Sequence, residues 1–455
     1  MKGRLSESQK QYVLDHLAHH AALGPEVLSK LHFGENKEDG EPGVFFLLSD
    51  ESYDRSRVLW INKIPVLFPV SDSVYNFYRI TNGSVYFEHD LLKSAFYLLS
   101  GYDQYEKQKE DAYGRFPYRD SIQCELDIAR KPMVNYYFEI LLQGIGEFCR
   151  INGLALEWNH PLDGPVLMLS HDIDRIDAYH VYEVAYTFKQ LAGLEKSPLS
   201  RSDRWTESFT GLAHLANPFS RKNPFWTFDY LRETEARRNI HSTYFFLEKD
   251  GAHANSRYRF HEKRMMALFR DLDRDGHEIG LHGTIRSATE EAALKETLNH
   301  LSAASPQPVH GIRQHYLKFK PGLTASLHAE AGLRYDATLG FSEQEGFRNS
   351  YCWPFKIYDH EKDRSHELWE IPLTVMESTL FYYRTLSLAD AMEAMDQLME
   401  ETCRFQGVFS LLWHNHFFPE KELPGITRFY EKVLDLSQAK GMKGLTGRTI
   451  IEAFS

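Results

Sequence analysis

Two aspartates stand two residues apart just after an apolar segment. The apolar run 166–169 leads through Ser170 and His171 into Asp172 and Asp174. Side chains alternate along a strand, so both carboxylates would project from one face at the C-terminal end of a strand placed here. Two carboxylates so close together are costly unless a cation or a proton separates their roles. The pattern predicts one metal ligand and one general base, with an aspartate-rich turn as the structural alternative.

Two histidines occur in Gly276–Thr284, a segment with the pattern of a turn, a short strand and a strand exit. His277 and His282 would lie about 17 Å apart along an extended strand and on its opposite faces. They cannot both bind one ion. His282, at the C-terminal end, is the predicted metal ligand, whereas His277 is expected to close the opposite turn.

The elements that must position these residues alternate along the second part of the chain. Four continuous apolar runs have the composition of parallel strands that are covered on both faces. They span residues 166–169, 242–247, 309–312 and 408–413. Helical patterns separate them: Ser287 and Glu290 have capping-box spacing before one helix, and Ser387 opens another. We therefore predict an α/β barrel or a doubly wound sheet, with functional residues at the carboxyl ends of the strands.

Residues 1–155 carry no convergent group of chemically active residues. Apolar runs at 44–48 and 64–68 predict short strands, Asp90 predicts a helix N-cap, and Pro132 suits the first turn of another helix. The turn-rich stretch 157–165 is the predicted boundary. The expected organisation is an N-terminal α+β accessory domain over 1–155 and a catalytic domain over 156–455.

Composition excludes several classes of protein. The chain has 455 residues and a formal net charge of -12, so we expect no nucleic-acid partner. No stretch approaches the ~18 consecutive apolar residues of a membrane span. The first residues lack the apolar core of a signal peptide, which predicts a cytoplasmic protein. The four cysteines form no Cys-x-x-Cys pair and are expected to be reduced thiols.

Five segments, taken in order, resemble the motifs of the polysaccharide deacetylases, carbohydrate esterase family four. They are Leu169-Ser170-His171-Asp172-Ile173-Asp174, 241–247, 276–284, Gly311-Ile312-Arg313 and Leu411-Leu412-Trp413-His414. Their order and spacing carry the resemblance, which covers residues 165 to about 420. The N-terminal half and the segments 335–340 and 346–348 further resemble a bacterial subgroup with an additional N-terminal domain.

The resemblance implies a fold and a set of roles. The fold would be a distorted (β/α)7 barrel, here with an N-terminal α+β domain. Asp172 would be the general base, Asp174 and His282 metal ligands, Arg313 the residue that orients the base, and His414 the general acid. For Arg313 a structural ion pair is the alternative, and for His414 a core histidine, with His416 as the substitute acid.

Two positions depart from the family's pattern. Ile173 separates aspartates that are commonly adjacent, and Arg286 stands where the family usually supplies another histidine ligand. A guanidinium cannot bind a cation, so Arg286 should point away from the metal or toward an anionic substrate group. The third ligand would then be His315, His171 or His416. We favour His315, because it follows a strand and should sit on the rim of the active site.

The predicted activity is hydrolysis of an N-acetyl group on a carbohydrate, such as a precursor of a surface polysaccharide. A divalent metal ion, Zn2+, would be the cofactor. The alternatives are a non-catalytic carbohydrate-binding or scaffolding protein with a degenerate site, and hydrolysis of a non-sugar amide. Trp413, Tyr316 and Trp353 could stack on sugar rings or belong to the core. The long segment between Arg175 and Pro224 could form a lid or a wall of the site.

Overall fold

The N-terminal region builds a small mixed sheet. The computed structural model describes residues 2–34, 41–195, 201–216, 223–250 and 256–454. The strands of this region are β1 (Ala21–Ala22), β2 (Leu31–Phe33), β3 (Val44–Phe46), β4 (Leu59–Ile61), β5 (Ile64–Val66), β6 (Tyr78–Thr81), β7 (Ser84–Phe87) and β8 (Glu157–Trp158). Four of them pair in the order β2-β3-β7-β6, with β6 antiparallel and the other pairs parallel. The predicted strands at 44–48 and 64–68 are confirmed as β3 and β5.

The described residues of the N-terminal region also form six α-helices. They are α1 (Glu7–Ala18), α2 (Pro25–Leu28), α3 (Leu91–Leu99), α4 (Tyr102–Lys107), α5 (Ile122–Glu125) and α6 (Met133–Asn152). The predicted cap of α3 is confirmed, because the Asp90 carboxylate accepts the Lys93 N–H at 2.8 Å. Pro132 occupies the N-cap position of α6 rather than its first turn. Helices α3 and α6 pack together, and α6 also contacts β7.

The second part of the chain forms a large, mainly parallel sheet. Its strands are β9 (Val166–Ile173), β10 (Thr243–Leu247), β11 (Glu278–Gly283), β12 (Gly311–Gln314), β13 (Tyr335–Asp336), β14 (Phe355–Asp359), β15 (Arg364–Glu370), β16 (Val375–Met376), β17 (Val408–Leu412) and β18 (Lys443–Gly444). They pair in the order β14-β15-β13-β12-β11-β10-β9-β17-β16, and β18 also pairs with β9. Only the β14–β15 pair is antiparallel. The carboxyl ends of the central strands therefore meet along one edge.

Helices alternate with these strands, as the sequence pattern predicts. They are α7 (Val181–Leu191), α8 (Arg201–Ala216), α9 (Phe228–Ala236), α10 (Lys263–Arg274), α11 (Glu291–Ala304), α12 (Leu323–Glu330), α13 (Leu388–Arg404), α14 (Ile426–Ala439) and α15 (Gly447–Glu452). Ser387 caps α13 by accepting the Asp390 N–H at 3.2 Å. The fold is a mixed α/β structure with a curled sheet. The count of seven strand–helix units stays a prediction.

One predicted helix start is wrong. Helix α11 begins at Glu291, and its N-cap residue is Glu290, which makes no side-chain capping bond. The Ser287 hydroxyl donates instead to the backbone oxygen of Thr284 at 2.9 Å and to the Gln314 side chain at 3.1 Å. The Ser287 hydroxyl therefore hydrogen-bonds Gln314 on β12 instead of capping the helix as the capping-box spacing predicted.

Extensive packing joins the N-terminal region to the large sheet. Strand β8, within the predicted boundary segment, pairs with β1. The Tyr12 hydroxyl on α1 donates to the backbone oxygen of Lys356 on β14 at 2.7 Å. One continuous cluster of buried apolar residues includes side chains from both parts of the chain. The division into domains at residue 155 stays a prediction.

Two further observations bear on the class of the protein. All four cysteines are free thiols, as predicted. Among the helices in the described ranges, none combines the length and apolar character needed to cross a membrane.

Candidate functional site

Strand β9 carries the two aspartates to the carboxyl edge of the large sheet. Asp172 is the penultimate residue of the strand, and Asp174 follows its last residue. Both carboxylates face His282, the penultimate residue of β11. The Nε2 atom of His282 is 3.6 Å from Asp172 Oδ2 and 3.3 Å from Asp174 Oδ1. The alternation of side chains along β9 thus puts both acids on the same side.

Three side chains of metal-ligand type converge at this edge, and we call Asp174, His282 and His315 the ligand cluster. Their ligand atoms all lie within 4.8 Å of one another. His315 follows β12 directly, and its Nε2 atom is 3.7 Å from Asp174 Oδ1. The structure therefore brings together the two ligands expected from the motifs and the favoured candidate for the third.

The geometry of the ligand cluster fits a divalent cation. Ligand atoms held about 2.1 Å from a tetrahedral zinc ion stand roughly 3.4 Å apart, close to the 3.3 Å and 3.7 Å that separate the two imidazoles from Asp174 Oδ1. The Nδ1 atom of His282 hydrogen-bonds the backbone oxygen of Arg313 at 2.8 Å, which directs Nε2 at the carboxylates. Asp174 Oδ1 is buried and has no hydrogen-bond partner among the described residues. A cation would satisfy it.

The carboxylates and imidazoles around the ligand cluster also shift one another's pKa values. Burial lowers the pKa of His315 to about 4, so its imidazole is neutral and can donate a lone pair. Burial opposes the charge of Asp174, but His315, His282 and His414 outweigh it and hold the pKa of Asp174 well below its usual range. Burial alone would lower the pKa of His282, but Asp172 and Asp174 raise it.

Asp172 is held by a buried arginine. Arg313 Nη1 donates to Asp172 Oδ1 at 2.9 Å and to the Ser170 hydroxyl at 2.8 Å, and its Nε donates to the backbone oxygen of Ala337 at 2.8 Å. Both partners of the ion pair are almost fully buried. Such a pair needs these additional hydrogen bonds to offset its desolvation. The second oxygen of Asp172 remains directed toward His282.

His414 lies on the other side of the ligand cluster. Its Nε2 atom is 3.5 Å from Asp174 Oδ2, and its Nδ1 atom is 2.5 Å from Oε1 of the buried Glu377. Burial alone would lower the pKa of His414, but Glu377, with Asp174 and Asp172, raises it to about 10. His414 is therefore held in its protonated form, with one N–H directed at the site.

The two other candidates for the third ligand have different surroundings. His171 projects away from the acids: one ring nitrogen is 2.7 Å from the backbone oxygen of Trp413, and the other is 2.9 Å from Glu235 Oε1. Both nitrogens are thus engaged elsewhere. His416 borders the cavity described below, with its ring centre 5.4 Å from that of His414, but it is not part of the ligand cluster.

Several residues near the motifs lie outside the site. Arg286 points away from it and pairs with Glu290 at 3.0 Å and with Asp250 at 3.3 Å. Trp413 and Trp353 are buried in the core. Of the three aromatic residues considered for sugar stacking, Tyr316 alone borders the cavity.

A cavity of about 400 Å³ opens above the ligand cluster. Tyr316 forms part of its wall and stacks on His315, with ring centres 4.1 Å apart. Tyr316 and Leu317 both adopt left-handed backbone conformations, with φ of 59° and 54°. This conformation costs a bulky residue about 1 to 2 kcal/mol. The strained turn after β12 places His315 and Tyr316 together on one rim, and strain of this kind is frequent at functional sites.

Comparison with known proteins gives one family-model match and several structural similarities. Residues 6–149 match the model described as a family of unknown function, DUF7033. No curated protein sequence matches the chain significantly. Among solved structures, a protein from Mycobacterium smegmatis described as a polysaccharide deacetylase is 18% identical, with a TM-score of 0.40 over 64% of this chain and 90% of that chain.

Two further solved structures are similar to this chain. A pseudoenzyme of the carbohydrate esterase family four from Bacillus anthracis is 10% identical, with a TM-score of 0.31 over 64% of this chain and 67% of its own. A peptidoglycan N-acetylglucosamine deacetylase is 12% identical, with a TM-score of 0.28 over 63% of this chain and 90% of its own. The resemblance seen in the sequence motifs is therefore also found among solved structures.

One wall of the cavity comes from the N-terminal region, which the sequence patterns did not indicate. Arg115 borders the cavity, and its Nη1 atom is 3.4 Å from the Tyr383 hydroxyl. Tyr113 stacks on Tyr316 with ring centres 4.8 Å apart. The N-terminal region thus reaches the cavity through Arg115, which is not part of the ligand cluster. Neither Arg115 nor Glu377 belongs to a recognisable motif, so only the folded structure brings them to the site.

Proposed function

We propose that this protein is a metal-dependent hydrolase that removes an N-acetyl group from a carbohydrate. The observation that carries the proposal is the arrangement at the cavity floor. The ligand cluster is flanked on one side by the arginine-held carboxylate of Asp172 and on the other by the glutamate-held imidazole of His414. A distorted (β/α)7 barrel with a separate N-terminal α+β domain belongs to the same proposal.

The ligand cluster would hold the metal ion. One carboxylate and two imidazoles are a ligand set that Zn2+ accepts in catalytic sites, where a further position stays open. A divalent ion bound there would supply Lewis-acid polarisation of the amide carbonyl and activation of water. The remaining contributions come from the side chains around it.

Asp172 would act as the general base. It takes a proton from the water molecule whose oxygen adds to the carbonyl carbon. Arg313 pairs with Asp172 and fixes one of its oxygens, so that the other is aimed at the cluster. Because both residues are buried, the orientation of the base is set before substrate binds.

His414 would act as the general acid. When the amide C–N bond breaks and acetate forms, the departing amine nitrogen takes a proton from Nε2 of His414. Glu377 holds the opposite ring nitrogen, which keeps the imidazole protonated and oriented. The base and the acid thus lie on different sides of the position where the amide would bind.

Acetate release combined with metal analysis tests the proposal. The protein is reconstituted with Zn2+ and incubated with a neutral oligosaccharide of N-acetylglucosamine. We expect stoichiometric metal and release of acetate. Asp172→Asn should retain the metal and lower turnover by ~10² or more. The control is Asp163→Asn, whose side chain is fully exposed, and it should behave like the unchanged protein.

Each other outcome supports a different hypothesis. Absence of metal and of acetate release after reconstitution would favour the non-catalytic carbohydrate-binding or scaffolding protein. Release of acetate from small non-sugar amides, but not from acetylated sugars, would favour an amide hydrolase with another substrate. Loss of metal in Asp172→Asn would exchange the roles of Asp172 and Asp174.

A further inference from the structure

Three arginines line the cavity beside the ligand cluster. Apart from Asp172, Asp174 and the histidines, the ionisable residues among its described lining that carry charge at neutral pH are Arg115, Arg175 and Arg257. The chain as a whole has a formal net charge of -12. The arginines therefore bring three guanidinium groups to the lining of the candidate active site, on a chain that is acidic as a whole.

Arg115 is presented to the cavity by a folded loop. Asp111 accepts the backbone N–H groups of Tyr113 and Arg115 through one carboxylate oxygen, at 2.8 and 3.0 Å. Its other oxygen accepts the Nε of Arg115 at 2.8 Å and lies 2.7 Å from Nη2. Asp111 thus folds the loop and orients the guanidinium of Arg115, a residue that is only 7% exposed.

The contacts of Arg115 leave donors for a ligand. Asp111 engages one edge of the guanidinium, and the Tyr383 hydroxyl contacts Nη1. A guanidinium carries more N–H groups than these contacts use. The charge of Asp111 is in turn shared with two backbone amides. The pair can therefore bind an anion without first breaking its own hydrogen bonds.

The two other arginines lie near the carboxyl end of β9, the strand that supplies both aspartates. Arg175 directly follows Asp174 of the ligand cluster. Arg257 precedes Tyr258, whose buried hydroxyl donates to the backbone oxygen of Ile173, the last residue of β9, at 2.6 Å. The backbone that bears Arg257 is thereby held against the end of the strand that supplies both aspartates.

We propose that the cavity binds an acidic saccharide, with a carboxylate or phosphate group of the substrate at Arg115, Arg175 and Arg257 and its N-acetyl group at the ligand cluster. This inference rests on the proposed function and specifies its substrate class. A guanidinium can donate two parallel hydrogen bonds to a carboxylate or a phosphate group, so arginines give such a ligand both affinity and orientation. Tyr316, which borders the same cavity, supplies an aromatic face for the sugar ring.

Matched neutral and anionic probes test this inference. The neutral probe is a trimer of N-acetylglucosamine; the anionic probes are N-acetylglucosamine 1-phosphate and the uronic acid of N-acetylglucosamine. Binding is measured by calorimetry on Zn2+-loaded Asp172→Asn protein, and turnover is measured separately on the unchanged protein. Arg115→Gln should weaken binding of at least one anionic probe ~10-fold or more, whereas binding of the neutral probe should change by less than about twofold.

Two further variants exclude an indirect effect. Arg115→Lys keeps the charge and should retain part of the lost affinity. Arg119→Gln removes an arginine of the same region whose side chain is 84% exposed, and it should change neither affinity. The phosphate and uronic acid probes distinguish the two sources of negative charge.

The result that would overturn the inference is equal loss of neutral and anionic binding in Arg115→Gln, or no loss of either. If acetate is still released from the neutral probe, the proposed function survives that failure. Conversely, Arg115-dependent binding of an anionic probe without any hydrolysis would support the acidic ligand and count against the hydrolase.

Discussion

Replacing Arg313 by methionine should leave the Asp172 carboxylate buried without its counter-charge. The two groups are 2.9 Å apart and almost fully buried. At that distance, with an effective dielectric constant of about 20, their attraction is about 6 kcal/mol, most of which offsets their desolvation. Breaking a buried pair from one side costs about 3 to 5 kcal/mol of unfolding free energy. Arg313→Met and Asp172→Asn should each approach this loss, because each leaves one unpaired buried group.

The double variant Arg313→Met/Asp172→Asn should be more stable than the sum of the two losses predicts, by about 2 kcal/mol or more. Unfolding by urea, in the presence of a chelator, measures this without a contribution from metal binding. The control cycle uses Arg404 and Glu139, an exposed pair at the same 2.9 Å separation, whose coupling should stay below about 1 kcal/mol.

If the losses of unfolding free energy from the Arg313 and Asp172 substitutions add to within about 0.5 kcal/mol in the double variant, the two groups do not stabilise each other. That result would refute the predicted coupling of the buried pair. Activity gives an independent readout. The double variant should recover stability but not turnover, since the base is gone. A double variant as active as the unchanged protein would exclude Asp172 as the base.

Three other perturbations have defined outcomes. His315→Ala should lower Zn2+ affinity at least ~10-fold, whereas His171→Gln should leave the metal content unchanged, as measured by elemental analysis. Arg286→His should raise neither metal affinity nor activity, because the side chain at position 286 pairs with Glu290 and lies outside the ligand cluster. A sharp increase in both metal affinity and activity would show that the native site is incomplete. Burial lowers the pKa of His16 from 6.5 to about 3, so its neutral form stabilises the fold fully above about pH 6.5 and this contribution is lost as the pH falls toward 3. When the pH falls from about 7.5 to about 5, the free energy of unfolding, measured with urea, should therefore decrease by about 2 kcal/mol less in His16→Asn than in the unchanged protein. Equal decreases would contradict the lowered pKa of His16.

Much of the candidate site could be predicted because it depends on where strands end. Asp172, Asp174 and His282 lie at or just beyond the carboxyl ends of parallel strands, and such ends converge whatever the details of the helices. The same alternation explains the position of His171, one of the candidates for the third ligand. It puts that side chain on the face of β9 opposite the two acids, where it meets Glu235.

The rest of the site depends on packing between distant parts of the chain. Glu377 is a single carboxylate after a two-residue strand, and nothing in its local pattern points to His414. Arg115 reaches the cavity only because its loop packs against Tyr316 and Tyr383, far along the chain. At Ser287 the local capping signal is outweighed by a hydrogen bond to Gln314, more than twenty residues away. Local spacing cannot reveal such partners.

Arg115 gives the cavity one lining residue from a part of the chain that contributes nothing to the ligand cluster. The residues assigned to bond cleavage lie after position 165, as do Arg175 and Arg257, whereas Arg115 lies well before it. Under the proposed function, substitutions at Arg115 are expected to change which saccharide binds while leaving the ligand cluster unaltered. Selection of the ligand is then open to change at an N-terminal position without any change in the residues assigned to hydrolysis.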